Sequence, residues 1–352
     1  MIQGSNDTFW RVSVPAKAIG AKVVRIPVKG GGKQLSEPSL AGEFRWFLTE
    51  EGACYPDHEG VAVFTRPDQV RATHALAMKA NGARIVAEVD DNYIAPRKLN
   101  LGMRTNYDEG SEDDHLRAIS VFDAIIFSTD WLRDSYRKVL RKAKRGVPDL
   151  HVCGNHVDPD DWPVVPLHGG PLRVGWMGSE SHLWDIRLAY PALAWAAGAG
   201  FDVKIIGYDP RWRPGEIRLH SLRVDSDGFD YDHIPWIDPR QFDRSRAVYP
   251  LDVALAPLRR DSFTLGKSDV KILEYGMSGA TVIASSGTVY NSIRHLETGI
   301  LAGSPEEFWM WTQRLCQDEK LRVELGDNLR QYIREERLVD QHTHDWEKAI
   351  LG

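Results

Sequence analysis

Apolar segments of strand length alternate with longer segments of helical period up to about residue 153, and the alternation starts afresh at Arg173. Few architectures accept that pattern. Strands separated by helices pair in parallel, and the helices then cover both faces of the sheet. In the first half, residues 22–28 read as a strand running into the loop Gly30-Gly31-Gly32, and 40–48 as a helix. Residues 61–64 read as a strand, 69–81 as a helix, 84–89 and 123–128 as strands, 131–144 as a helix and 150–153 as a strand. A loop rich in proline, aspartate and glycine follows at 158–171 and is the best linker candidate. The second series has strands at 173–176, 202–206, 253–256 and 281–284, with helices at 184–197, 268–278, 305–317, 321–335 and 339–351. The spacing predicts an α/β protein of two successive units, with a ligand at the carboxyl ends of the strands.

Composition narrows the function classes. The 352 residues suffice for two domains. A hydrophobic share of 42% and a charged share of 27% are those of a soluble globular chain. The formal charge of −6 argues against a surface given over wholly to nucleic acid. Cys54, Cys153 and Cys316 are far apart and form no CxxC, so neither a zinc site nor a disulfide framework is indicated. No charged-then-apolar leader pattern opens the chain, and the expected location is the cytoplasm.

The most informative stretch for chemistry runs from Lys267 to Ser285. Lys267, Lys271 and Glu274 share one helical face, and Ser268 and Asp269 suit a helix start. A helix N-terminus presents free N–H groups and partial positive charge, which hold phosphate. Gly266 lets backbone approach a ligand closely. Amides and lysines for a pyrophosphate, with a carboxylate for ribose hydroxyls, would suit a nucleotide-sugar. The plainer alternative is a surface helix with an intrahelical Lys271–Glu274 pair.

Several further segments occur in order with it: Gly175-Trp-Met-Gly-Ser-Glu-Ser-His-Leu-Trp-Asp185, Leu251-Asp-Val-Ala-Leu-Ala-Pro-Leu258 and Glu297-Thr-Gly-Ile-Leu301. Glu88-Val-Asp-Asp91, Phe127-Ser-Thr-Asp-Trp-Leu132 and Asn155-His-Val-Asp158 precede them. Together these resemble retaining glycosyltransferases of the family 4 type. The resemblance implies GT-B architecture: two Rossmann-like domains whose parallel sheets face a central cleft. It implies an acceptor-side domain at 1–165, a nucleotide-sugar domain at 166–335, and a final helix within 336–352 that returns to the first domain. It implies a nucleoside-diphosphate sugar as donor, held by Gly178, Ser179, His182, Gly207, Gly266, Lys267, Ser268, Lys271 and Glu274. Glu274 matches the second glutamate of the family's paired motif, whereas the first falls on Gly266. Asp90 aligns with a residue near the reacting centre, so Asp90, Lys267 and Glu274 are the expected catalytic set. Gly31, Gly32, Arg45 and Asp91 are expected on the acceptor side. The implied reaction moves a sugar to a glycan, lipid carrier, protein or modified DNA base, with retention and with neither metal nor cofactor. The alternative from another class is a non-catalytic nucleotide- or glycan-binding protein on the same scaffold.

Each candidate has a plainer alternative. Asp90 and Asp91 follow a strand at its ligand-binding edge, yet aspartates also serve turns and caps. His182 contacts phosphate or caps a helix. Asp158/Asp160 and Asp225/Asp227 imitate a metal-binding DxD but lie in turn-like stretches. Gly30-Gly31-Gly32 is not GxGxxG, so a dehydrogenase is poorly supported. Arg133, Arg137, Lys138, Arg141, Lys142, Lys144 and Arg145 make one helix strongly basic; a solvated outer face, an anionic membrane and a polyanionic acceptor all fit it.

Overall fold

The computed structural model describes residues 9–20, 46–48, 54–56, 60–94, 111–162, 170–179, 182, 184–208, 229–235 and 251–352. These fall into two compact units. One holds the described residues up to 94 together with 111–155 and 342–352, and the other holds 156–341.

In the first unit β1 (Trp46–Leu48) pairs antiparallel with β2 (Cys54–Pro56). The helix expected over 40–48 is therefore wrong at its end. Trp-Phe-Leu suits a pleated surface, and a facing Cys-Tyr-Pro segment decides the matter, which helical spacing over so short a window cannot see. The four-stranded sheet has β3 (Val61–Thr65), β4 (Arg84–Val89), β5 (Ala124–Phe127) and β6 (Asp149–Val152) in that order, all parallel. Its helices include α2 (Gln69–Ala80), α3 (Ser111–Ile119) and α4 (Asp130–Lys142), after the short α1 (Val14–Ala18). Helix α4 starts where Thr129 accepts the Leu132 N–H, and buries Leu132, Tyr136 and Leu140, one turn apart. The expected strand at 22–28, the Gly30-Gly31-Gly32 loop and Arg45 lie outside the described residues.

The sheet of the second unit is six-stranded and parallel throughout. It comprises β7 (Arg173–Gly178), β8 (Asp202–Gly207), β9 (Asp232–Pro235), β10 (Val253–Ala256), β11 (Thr281–Ser285) and β12 (Ile300–Ala302). The spatial order is β12-β11-β10-β7-β8-β9. Strands β7, β10 and β11 are buried along their whole length, which explains the apolar run of β10 and the apolar centres of β7 and β11. The expected helix at 184–197 begins late, as α5 (Tyr190–Gly198), after a 3-10 turn at Ile186–Leu188. Pro191 has no N–H to donate and is tolerated only in a first turn, so the α-helix cannot extend back through it. Helix α6 (Val270–Ser278) ends at Gly279, whose φ of +83° closes the turn. There Ala280 N–H bonds to Tyr275 O and Gly279 N–H to Gly276 O, a glycine stop of the Schellman kind. Helices α7 (Pro305–Gln317) and α8 (Glu319–Glu336) complete the layer.

Within the described residues the chain passes between units at 155/156 and again at 341/342. Just inside the second unit the two passages are hydrogen-bonded: Val157 N–H donates to Arg337 O (2.8 Å) and Val339 N–H to Val157 O (2.9 Å). Helix α9 (Thr343–Leu351) then sets Trp346 and Ala349 against Val86, Ala124 and Ile126 of the first sheet. Near it, buried Arg11 donates through Nε to Glu88 Oε1 (2.6 Å) and stacks over the Trp346 ring at 4.8 Å. Among the described residues no helix is long and apolar enough to cross a membrane.

Candidate active site

Strand β7 has β8 on one side and β10 on the other, so the strand order reverses at β7. Crevices at the carboxyl ends of strands beside such a reversal are where ligands bind in doubly wound sheets. The loops leaving β7 and β10 carry most of the expected donor residues.

After β10 the chain is tightly braced. Leu258 N–H donates to Ser285 Oγ (2.8 Å), and Asp261 Oδ1 accepts from both Phe263 N–H (2.9 Å) and Thr264 N–H (2.8 Å). Thr264 Oγ1 bonds back to Arg259 O, and a 3-10 turn at Thr264–Gly266 leads to Lys267. Gly266 is buried in that turn and Ser268 is half-buried. Asp269 occupies the N-cap position of α6 but does not cap it. Its carboxylate is taken by Arg337, Nη1 to Oδ2 at 2.7 Å and Nη2 to Oδ1 at 3.0 Å. The start of α6 is thus left without a side-chain acceptor.

Lys271 stands in the first turn of that helix. Its ammonium is shielded from solvent, has no hydrogen-bond partner among the described residues, and lies 5.6 Å from the Trp176 ring centre. The intrahelical Lys271–Glu274 hydrogen bond of the plainer alternative is therefore not made. Burial pushes the amine down to about 8; the carboxylates of Asp185 and Glu274 oppose the fall and the charge of Lys267 adds to it. Lys267 is half-buried with Nζ 4.6 Å from the Phe263 ring centre. Glu274 is buried at 1% exposure. Behind it the Tyr275 hydroxyl accepts Met177 N–H (2.8 Å), tying α6 to β7.

On the β7 side, Gly178 closes the strand under Trp176: an added methyl carbon would meet Trp176 Cζ2 at 2.2 Å, so packing alone accounts for this glycine. Ser179 is exposed, and its carbonyl accepts His182 N–H (3.0 Å). His182 is buried, with Nδ1 2.7 Å from Asp185 Oδ2, and Asp185 Oδ1 accepts Arg259 N–H (2.9 Å). One carboxylate thus joins the β7 loop to the β10 loop. Burial, with Lys271 and Lys267 nearby, pushes the His182 imidazole down to about 4 despite Asp185. Gly207 ends β8 with φ +97°, and its carbonyl meets His233 Nε2 at 3.0 Å.

In the first unit Asp90 and Asp91 follow β4. Asp90 is buried; Arg66 donates to it (Nη2 to Oδ2, 2.8 Å) and so does the Tyr93 hydroxyl (2.8 Å). Burial alone would raise its carboxyl, but the Arg66 guanidinium holds it below the ordinary carboxylate range. Asp91 is half-buried. Gly31, Gly32 and Arg45 lie outside the described residues. Sequence reasoning missed Asp185, Arg259, Tyr275 and Arg337. A loop aspartate and an arginine 68 residues from its partner carry no local signal; only tertiary packing reveals them. Among the described residues no three His, Cys, Asp or Glu side chains are grouped to hold a metal ion.

No protein-family model and no curated protein matches the chain. Solved structures do. Sucrose-phosphate synthase from Thermosynechococcus elongatus is 14% identical with a TM-score of 0.55, over 82% of this chain and 72% of that one. Anabaena HepE in complex with UDP-glucose is 13% identical with a TM-score of 0.57, over 82% and 79%. The pneumococcal O-GlcNAc transferase GtfA, in complex with UDP and GlcNAc, is 14% identical with a TM-score of 0.56, over 82% of this chain but 56% of its own. These neighbours are GT-B glycosyltransferases. The chain has their mixed α/β fold with two parallel sheets, as the sequence predicts.

Proposed function

We propose that the protein is a glycosyltransferase that takes a sugar from a nucleoside-diphosphate sugar held in the second unit. The observation that carries this reading is the Lys271 ammonium, shielded and without a hydrogen-bond partner among the described residues, in the first turn of an uncapped helix beside the strand reversal. A cation in that state is relieved by an arriving anion, and a diphosphate brings several oxygens. As the anomeric bond to the diphosphate breaks, negative charge grows on the leaving phosphate. Lys271, Lys267 and the free amides of α6 stand ready to meet it, so the reading does not call on a metal or cofactor. Glu274 serves the ribose hydroxyls, and Gly178, Ser179, His182, Gly207, Gly266 and Ser268 line the approach. The complexes of HepE with UDP-glucose and of GtfA with UDP and GlcNAc support a nucleotide-sugar as the ligand class.

Membership of family 4, retention of configuration and a cytoplasmic location belong to the same proposal and rest on the sequence resemblance and composition. So does an acceptor side in the N-terminal domain, with Asp90 near the reacting centre and Gly31, Gly32, Arg45 and Asp91 about it. The acceptor is a glycan, lipid carrier, protein or modified DNA base. In α4 and the turn after it, Lys138, Arg141, Lys142 and Lys144 are exposed and form no salt bridge among the described residues, though Arg133 foremost, and the charge of Lys138 after it, lower the Asp134 carboxyl, whereas Arg133, Arg137 and Arg145 are paired with aspartates. These four exposed cations are the proposed contact with an anionic membrane or polyanionic acceptor.

Calorimetry with UDP, GDP and their sugar conjugates tests the donor site. Binding is expected, and Lys267→Ala and Glu274→Ala should each weaken it about tenfold or more with the fold intact by circular dichroism. Unchanged affinity in both variants refutes the assignment. Because Gly266 supplies no side chain, a non-catalytic binding protein is the second reading. Donor binding with neither hydrolysis nor transfer would favour it.

A further inference from the structure

The contacts of His182 determine which nitrogen holds its proton. Asp185 is 4% exposed and both its oxygens are committed, Oδ1 to Arg259 N–H and Oδ2 to His182 Nδ1. An ionised carboxylate only accepts, so the proton between the two groups sits on Nδ1. Burial and the two neighbouring lysines keep the imidazole neutral near pH 7. A neutral ring protonated at Nδ1 carries a lone pair at Nε2, and that atom has no hydrogen-bond partner among the described residues. A lone pair repels an ionised phosphate oxygen and attracts a hydroxyl proton.

We propose that Asp185 is a positioning residue that makes His182 a hydrogen-bond acceptor for a hydroxyl of the transferred sugar, leaving the diphosphate to α6. This rests on the reading that the second unit binds a nucleotide-sugar, and it divides that site into a hydroxyl-accepting β7 side and a phosphate-holding β10 side.

Asparagine at 185 inverts the arrangement. Its carbonyl must stay on Arg259 N–H, which turns its NH2 toward Nδ1. The His182 proton then moves to Nε2, and a donor replaces the lone pair. Side-chain 15N NMR of histidine-labelled protein reads this directly. The unmodified protein is expected to show His182 protonated at Nδ1, and Asp185→Asn at Nε2. In calorimetry, Asp185→Asn and His182→Phe should weaken UDP-glucose, UDP-GlcNAc or GDP-mannose, whichever binds, by about tenfold, while the matching free UDP or GDP changes less than about twofold. An Nε2-protonated ring in the unmodified protein overturns the proposal. So does an equal loss for diphosphate and sugar conjugate, and both results leave the donor reading standing. Failure of every nucleotide to bind the unmodified protein removes the donor reading, and the sugar assignment with it.

Discussion

Lys271 sets the tension at the scale of single residues. An ammonium shielded from water with no hydrogen-bond partner among the described residues costs stability, and burial pushes its amine down from 10.5 to about 8 despite the Asp185 and Glu274 carboxylates. Below pH 8 the folded protein bears that cost in full. Between pH 8 and 10.5 the unfolded chain holds the extra proton, so the cost fades as pH rises. Lys271→Met should therefore stabilise the unliganded protein by about 1–3 kcal/mol at pH 7, with the gain vanishing toward pH 10.5. The same variant should lose diphosphate binding. Thermal denaturation at several pH values, with and without UDP, checks both; a destabilised variant at pH 7 contradicts the account. The unmodified protein should also bind diphosphate less well above pH 8, where the ammonium loses its proton. The spacing placed Lys271 and Glu274 on one helix, where they are found, but Lys267 lies before it, at the end of a 3-10 turn, because the helix starts only at Val270. Asp185 was not legible in the sequence, since an aspartate in a loop looks like any turn residue until Arg259 N–H is found against it.

At the scale of elements, the start of α6 depends on a residue at the far end of α8. Arg337 draws the Asp269 carboxylate away from the helix it would otherwise cap. Replacing Arg337 with Met should let Asp269 fold onto its own helix amides, where it competes with an anionic ligand. Diphosphate affinity should then fall about tenfold, and Asp269→Ala in the same background should restore it. Calorimetry on both variants tests this, and no loss in Arg337→Met would show that the cap position does not matter. The elements most legible in the sequence were those whose packing is uniform. Strands β5 and β10 and the centre of β11 are buried on both faces and read as continuous apolar runs. Helix α3 was missed because its first turn, Ser-Glu-Asp-Asp, is wholly polar. Strand β9, Asp-His-Ile-Pro, is a part-exposed edge with little apolar pattern to read.

For the whole molecule, composition marks the loop at 158–171, but which segment completes which unit is settled by packing that no composition records. Helix α9 is the example: Trp346 is 3% exposed within the first unit's core. Trp346→Ala should cost about 3–5 kcal/mol. Hydrogen exchange should accelerate in β4, β5 and β6 while β7, β10 and β11 keep their protection. Equal acceleration in both sheets would contradict the division into units.

That placement of α9 bears on what a shortened chain can complete. The described residues of the second unit all precede Trp346 in the chain, whereas the core of the first sheet is closed by a helix that comes after them. A chain truncated before α9 should thus keep the second sheet protected from hydrogen exchange and leave the first, though made earlier, unfinished.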